Sequence, residues 1–124
     1  MGTNYYLHRD VCPHCGRGGS VLHIGKSSHG WTFSFRGYDA DKGDPVTVKS
    51  ADKWADLMNE HGSLIKDEYG DAISGIDFWR MWAKKRHEKF NHTEYVRKDP
   101  KLREHAAECW LDHEGNSFHG GEFS

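Results

Sequence analysis

Apolar and polar residues alternate in the N-terminal part of the chain. Trp31, Phe33 and Phe35 occupy every second position after the turn-rich segment 25–30. A period of two is typical of a half-buried strand, which we predict over about 31–38. Three shorter apolar runs are candidate partner strands, at 5–7, 21–24 and 46–48. We therefore expect a small antiparallel sheet in this part of the chain.

Helical spacing replaces this alternation after residue 50. Ser50 is a candidate N-cap and Gly62 a candidate C-cap. Four residues between them share one helical face: Trp54, Leu57, Met58 and His61. This pattern predicts a helix over 51–61.

Two further helices are predicted in the C-terminal part. Ser74 is followed three residues later by Asp77, as in a capping box, which predicts a helix over about 75–89. The residues expected to face inward are Phe78, Met81 and Trp82. Pro100 suits the first turn of a third helix over about 100–109.

Glycine-containing turns predict two hairpins. Gly70-Asp71 separates the apolar pairs 64–65 and 72–73, and Gly115-Asn116 can reverse the tail, 110–124. The chain has 124 residues, of which 35% are hydrophobic and 13% aromatic. A single α+β domain with a core of a few large rings fits this composition.

Cysteine spacing gives the sharpest chemical signal. Cys12-Pro13-His14-Cys15-Gly16 is typical of a zinc knuckle, in which two thiolates on a tight turn bind one Zn²⁺. We expect a structural zinc site with four ligands: Cys12, Cys15, His23 and His29. The alternatives for the fourth ligand lie in the tail, at Cys109, His113 and His119. The zinc-knuckle hairpin would belong to a β part at 1–48, with helices and hairpins at 49–124.

Two other interpretations of the cysteine pair stay open. The thiols are either simply reduced, with no role, or they form a redox pair. A redox pair requires a helix that begins within the motif. Gly16, Gly18 and Gly19 disfavour such a helix.

The segment 25–28 resembles the end of a phosphate-binding P-loop, but Ser20 occupies the position where that motif requires glycine. Backbone N–H groups beside Lys26 and Ser27 are still candidates for anion binding, although a solvated turn is the simpler interpretation. Trp31, Phe33 and Phe35 are either core residues or a base-stacking platform beside Arg36.

Charge is concentrated in residues 80–103, which contain nine basic and three acidic residues and leave a net charge of −8 on the rest of the chain. The candidate contacts are Lys84, Lys85 and Lys89. Such a segment binds nucleic acid or an acidic protein surface, or it is only a solvated helix face.

The sequence gives little indication of catalysis or of a membrane. The tail residues Asp112-His113 and His119-Gly120-Gly121 are weakly similar to HNH nucleases, but the pattern is incomplete, and we expect no turnover. No apolar run approaches a membrane span of about 20 residues, and the N-terminal residues lack the basic region followed by an apolar region that is typical of a signal peptide. We expect a cytoplasmic protein without a membrane partner.

Six blocks carry a family resemblance: 1–7, 12–17, 23–28, 30–35, 65–70 and 121–124. Together they resemble a family of small bacteriophage and prophage proteins. The resemblance implies an accessory factor that binds a host protein in the bacterial cytoplasm, inhibiting host defence or other host machinery, and it assigns no site. A non-enzymatic, zinc-stabilised protein of this kind is our first functional hypothesis, and a nucleic-acid-binding or HNH-like nuclease protein is the alternative.

Overall fold

Seven strands and two α-helices form the described part of the chain. The computed structural model describes residues 2–9, 20–28, 30–60, 62–88, 91, 93, 95, 98 and 109–120. The strands are β1 (Gly2–Arg9), β2 (Ser20–Ser28), β3 (Ser34–Arg36), β4 (Leu64–Asp67), β5 (Ala72–Ile73), β6 (Cys109–Leu111) and β7 (Ser117–His119). The helices are α1 (Ala51–Met58) and α2 (Gly75–Lys85). The predicted α+β class is confirmed.

All seven strands belong to one sheet, in the order β5-β4-β1-β2-β3-β7-β6. Strand β1 is antiparallel to both of its neighbours, β2 and β4. The tail hairpin β6–β7 joins the same sheet because β7 runs parallel to β3. The strands of the N-terminal part, β1, β2 and β3, pair antiparallel as predicted, but the complete sheet is larger than predicted and mixed. The three strands from 1–48 are contiguous at its centre, and two strands from 49–124 flank them on each side.

Two glycines allow close approaches within this sheet. Gly25 lies in β2 opposite Tyr5, at a bulge in the β1–β2 ladder, with a φ of 158°. A side chain at Gly25 would overlap the carbonyl oxygen of Ser34 on β3. A side chain at Gly37 would overlap the ring of Trp110 on β6. Only glycine fits both positions without displacing a neighbouring strand.

Aromatic rings form the centre of the core, as the composition predicts. The Phe33 ring lies 6.0 Å from Tyr5, 4.7 Å from Phe35 and 5.4 Å from Phe78, between centroids. Phe35 stacks on Phe118 at 5.0 Å. Phe33 is 2% exposed and Phe35 fully buried, so both are core residues and neither is available for base stacking. Burial of the Phe78 side chain contributes about 1.5–3 kcal/mol to holding α2 on the sheet.

Trp54 anchors α1 to the sheet. Its side chain is fully buried, and its Nε1 donates a hydrogen bond of 3.0 Å to the carbonyl oxygen of Arg36 at the end of β3. Its ring meets the Tyr38 ring edge to face, with centroids 6.0 Å apart. The helix predicted at 51–61 exists, but it ends at Met58, and Asn59 caps it. The predicted C-cap, Gly62, lies beyond the helix.

The helix starts follow the predictions more closely than the helix ends. Ser50 and Ser74 both cap their helices through Oγ, and α2 ends at Lys85, four residues before the predicted boundary. The helix predicted at 100–109 lies outside the described residues except for Cys109, which begins a strand. Neither described helix is long and apolar enough to cross a bilayer.

Both predicted hairpins are confirmed, as β4–β5 and β6–β7. The strand predicted at 31–38 is shorter than expected, because only Ser34–Arg36 pairs continuously with its neighbours. The run 46–48 is not a strand of the sheet, since Val48 forms only an isolated bridge with Tyr38.

Candidate functional site

The solvent-facing side of α2 is basic. Arg80 and Lys84 are one turn apart and exposed, and the exposed Arg86 and His87 follow at the C-terminal end of the helix. The guanidinium of Arg86 lies 4.9 Å from the centre of the Trp82 ring. A guanidinium over an indole keeps its positive charge while its position is fixed by the ring.

Lys85 does not belong to this exposed face, contrary to our expectation. Its side chain is only 14% exposed. Its ammonium donates to the carbonyl oxygen of Ser28 at 2.5 Å and lies 3.8 Å from the carboxylate of Glu88. Lys85 therefore connects the C-terminal end of α2 to the end of β2 through a hydrogen bond. Lys89, the third predicted contact, lies outside the described residues.

The rings of Trp31 and Tyr95 lie next to the contact between Lys85 and Ser28. The backbone N–H of Trp31 also donates to the carbonyl oxygen of Ser28, at 3.2 Å. The Trp31 ring meets the Tyr95 ring edge to face at 5.4 Å, and Tyr95 is 47% exposed. Ser28 thus joins the basic helix to two rings. We define the basic-aromatic surface as Trp31, Arg80, Lys84, Arg86, His87 and Tyr95.

The predicted anion-binding loop at 25–28 is wrong, because these residues form the end of β2. Lys26 lies opposite Asn4 of β1 and Ser34 of β3, and Ser27 lies opposite Thr3. The backbone of this segment takes part in strand pairing, so it does not form a loop of free N–H groups. The side chains of Lys26 and Ser27 remain half-buried.

Arg36 lies inside the fold, where we had expected a contact to phosphate. It is 6% exposed, its guanidinium covers the Tyr38 ring at 4.5 Å, and it donates to the carbonyl oxygen of Gly120 at 3.2 Å. Its charge therefore acts within the protein and does not belong to the exposed surface.

The residues predicted to bind zinc are only partly described. Cys12, Cys15 and His29 lie outside the described residues. His23 lies in β2 at 7% exposure, with its ring stacked on Tyr6 at 5.1 Å and its Nε2 2.9 Å from Oδ1 of Asn4.

The three tail alternatives for the fourth zinc ligand all belong to the β6–β7 hairpin but lie at its two opposite ends. Cys109 and His119 are directly opposite on β6 and β7, and Cys109 is buried. His113 lies in the turn between these strands and is exposed.

A second polar cluster forms where the β6–β7 turn meets the start of α1. The carboxylate of Asp112 accepts hydrogen bonds from the backbone N–H groups of Ala51, Glu114 and Asn116, at 3.0, 3.0 and 2.9 Å. The side-chain amide of Asn116 adds a fourth, at 3.0 Å. Burial alone would raise the pKa of Asp112, but these hydrogen bonds together hold the pKa below its ordinary value.

Three further side chains converge beside Asp112. Nε2 of His113 lies 3.1 Å from Oδ2 of Asp52 and 3.5 Å from Oε1 of Glu114. Ligand atoms of all three side chains lie within 4.8 Å of one another. His113 also lines a cavity of about 600 Å³ whose wall includes Lys49 and Trp110.

Sequence reasoning missed Asp52, Glu114 and Tyr95. Asp52 lies about half of the chain length before His113, so no spacing motif could reveal the cluster. The local run 112–114, with two carboxylates around a histidine, was the available signal. Comparisons of the chain with protein-family models, with curated proteins and with solved structures found no match.

Proposed function

We propose that this protein is a non-enzymatic binding protein and that its basic-aromatic surface binds single-stranded nucleic acid. The observation that carries the proposal is the junction at Ser28, whose carbonyl oxygen accepts hydrogen bonds from both Lys85 of α2 and Trp31. It places the C-terminal end of the basic helix α2 next to Trp31, whose ring contacts Tyr95. Proteins that bind single strands combine these two features.

The distribution of charge supports an anionic partner at this surface. The whole chain has a formal charge of −2, so its composition gives no general attraction to phosphate. The cations Arg80 and Lys84 lie instead on one exposed face of α2, one turn apart. Each phosphate contact releases counterions and makes binding sensitive to salt.

The rings supply the second part of the proposal. Tyr95 is 47% exposed while its ring contacts Trp31, so one ring of the pair is held in place and reaches solvent. Stacking of a base on such a ring is worth about 1–3 kcal/mol and tolerates any base sequence.

A salt titration tests the proposal. We expect a fluorescent oligothymidylate of about 15 nucleotides to bind the protein at low salt and to dissociate as salt is added. The double variant Arg80→Gln with Lys84→Gln should bind at least about tenfold more weakly, and its logarithmic salt slope should be smaller by about 1.4, for two lost phosphate contacts. Fluorescence anisotropy measures both quantities.

The matched control removes the same charge elsewhere. Lys42 and Lys53 are exposed near α1, away from α2. Their replacement by Gln should leave the affinity unchanged, whereas Tyr95→Ala should weaken binding about tenfold through lost stacking. An equal loss in the control variant, or no binding by the parent protein at low salt, would refute the proposal.

A host protein is the second candidate partner, as the family resemblance implies. The observation in its favour is the exposure of two large apolar side chains, Tyr69 in the β4–β5 turn at 75% and Ile76 in the first turn of α2 at 68%. Apolar contacts of this kind are insensitive to salt. Capture of a bacterial protein that persists at high salt, and that Tyr69→Ser with Ile76→Ser abolishes, would favour this candidate over nucleic acid.

We also propose a structural Zn²⁺ bound by Cys12, Cys15, His23 and His29. It rests on the cysteine spacing and on the placement of His23 in the strand that follows the knuckle. A zinc site of this type stabilises the fold and contributes no turnover.

A further inference from the structure

The cluster of Asp52, His113 and Glu114 joins two separate elements of the fold. Asp52 lies in the first turn of α1, while His113 and Glu114 lie in the turn between β6 and β7. The hydrogen bond from the backbone N–H of Ala51 to Asp112 holds these two segments together. The side chains that meet here are therefore placed by the fold and not by their proximity in the sequence.

The spacing of the cluster suits one metal ion. Metal–nitrogen and metal–oxygen bonds of about 2.0–2.2 Å place neighbouring ligand atoms about 2.8–3.6 Å apart, for octahedral or tetrahedral angles. The distances from His113 Nε2 to Asp52 Oδ2 and to Glu114 Oε1, 3.1 and 3.5 Å, fall in this interval. The three side chains are exposed, so the two carboxylates can adjust around an ion.

The donor set indicates the class of ion. One imidazole nitrogen and two carboxylate oxygens suit Mn²⁺ and Zn²⁺, and two negative charges balance a divalent cation. Three protein ligands leave further coordination positions for water. The cavity of about 600 Å³ that His113 lines gives solvent access to the imidazole side of the cluster.

We propose that Asp52, His113 and Glu114 form a binding site for a divalent transition-metal ion, distinct from the zinc knuckle at Cys12 and Cys15. The competing explanation is a surface ion-pair network of protonated His113 with the two carboxylates. Exposed pairs of this kind contribute about 0–1 kcal/mol and do not bind metal.

Manganese is the probe that separates this site from the thiolate site. Mn²⁺ prefers oxygen and nitrogen ligands, whereas thiolates favour Zn²⁺. We expect the full-length protein to bind one Mn²⁺ saturably, measured by the loss of the free-ion signal in electron paramagnetic resonance. His113→Ala and Asp52→Asn should each weaken this binding at least about tenfold, since each removes one of three ligands. Excess Zn²⁺ should displace the bound Mn²⁺.

Two control variants accompany the titration, and nuclear magnetic resonance locates the bound Mn²⁺. His8→Ala and Asp56→Asn remove an imidazole and a carboxylate outside the cluster, in β1 and α1, and should leave the affinity unchanged. Bound Mn²⁺ should broaden the amide signals of residues 51–53 and 112–115 before others. Absence of saturable binding, equal binding by His113→Ala, or broadening centred elsewhere would overturn the proposal in favour of the ion-pair network.

Discussion

Single polar side chains with several partners connect segments that are far apart in the sequence. Asp112 is the clearest case, because its carboxylate accepts from the start of α1 and from its own turn. His23 likewise connects separate segments of the sheet. Its Nε2 lies within hydrogen-bond distance of Oδ1 of Asn4, and its backbone N–H donates to the Tyr38 hydroxyl at 2.8 Å. Such residues make the fold depend on a few buried polar groups.

The low pKa of Asp112 predicts a specific dependence of stability on pH. The folded-state pKa lies below the ordinary value of about 3.9, so the ionised group stabilises the fold above that pH. This stabilisation is lost as the pH falls from about 3.9 through the folded-state pKa. We expect Asp112→Asn to be less stable than the parent at pH 7, and the difference to shrink at pH 3.

Urea unfolding at both pH values measures that difference. Asp56→Asn is the control, because Asp56 is exposed on α1 and its replacement should change the free energy of unfolding by less than about 0.5 kcal/mol. A difference between the parent and Asp112→Asn that is the same at pH 7 and pH 3 would contradict the stabilising role of the ionised carboxylate.

Contacts of polar side chains show which interactions were predictable from the sequence and which were not. Ser50 and Ser74 were predictable as caps, because a cap bonds to a residue three positions away. Asp112 was not predictable as a connector to Ala51, because its partner lies 61 positions away and neither residue type reveals the pairing. Asp52 was not predictable as a partner of His113 for the same reason, because these two residues are equally far apart in the sequence.

At the scale of elements, the N-terminal cap of α2 is stronger than that of α1. Ser74 Oγ accepts from the backbone N–H of Asp77 at 3.0 Å, whereas the distance from Ser50 Oγ to the backbone nitrogen of Lys53 is 3.4 Å. Hydrogen bonds weaken as this distance grows. The two serines therefore should differ in what they contribute to stability.

We expect Ser74→Ala to lower the free energy of unfolding by about 1 kcal/mol, and Ser50→Ala by less. Urea denaturation at neutral pH measures both. Ser74→Asp keeps an oxygen that accepts from Asp77 and should restore the stability of the parent. If Ser74→Ala and Ser74→Asp are equally stable, the capping interaction contributes nothing.

Element types were more predictable than element lengths. Local periodicity and caps gave both described helices and both hairpins. Helix ends were not predictable, since α1 stops at Asn59 although a better C-cap residue, Gly62, follows. The parallel pairing of β3 with β7 joins residues more than eighty positions apart, which no local pattern contains.

At the scale of the whole molecule, the exposed basic face of α2 and the acidic groups around His113 lie on different elements. The C-terminal end of α2 lies beside Trp31 through the contact of Lys85 with Ser28, while α1 and the β6–β7 turn present Asp52 and Glu114. The concentration of basic residues in 80–103 was readable from the sequence. The position of this basic segment next to an aromatic pair was not readable from the sequence, because it depends on the contact of Lys85 with Ser28.

The structural zinc site remains a prediction, and it concerns the stability of the whole molecule. A test of it must distinguish loss of the metal from direct damage to the fold. His23→Ala is unsuitable as the main variant, because it also removes the contact with Asn4 and the stacking on Tyr6. Cys12→Ser changes one sulfur to one oxygen. We expect one zinc per chain in freshly purified, reduced protein, and we expect Cys12→Ser to lose it.

Loss of the zinc should destabilise the protein, because the free energy of metal binding in a small structural site is folding free energy. A cost of about 2 kcal/mol or more lowers the Tm by at least about 5 °C in a domain of this size. Asp52→Asn is the control, since it alters the other proposed metal site and should keep both the zinc and the Tm. Elemental analysis and thermal unfolding measure the two outcomes. Zinc-free parent protein, or a Cys12→Ser variant with unchanged Tm, would show that the cysteine pair has no structural role.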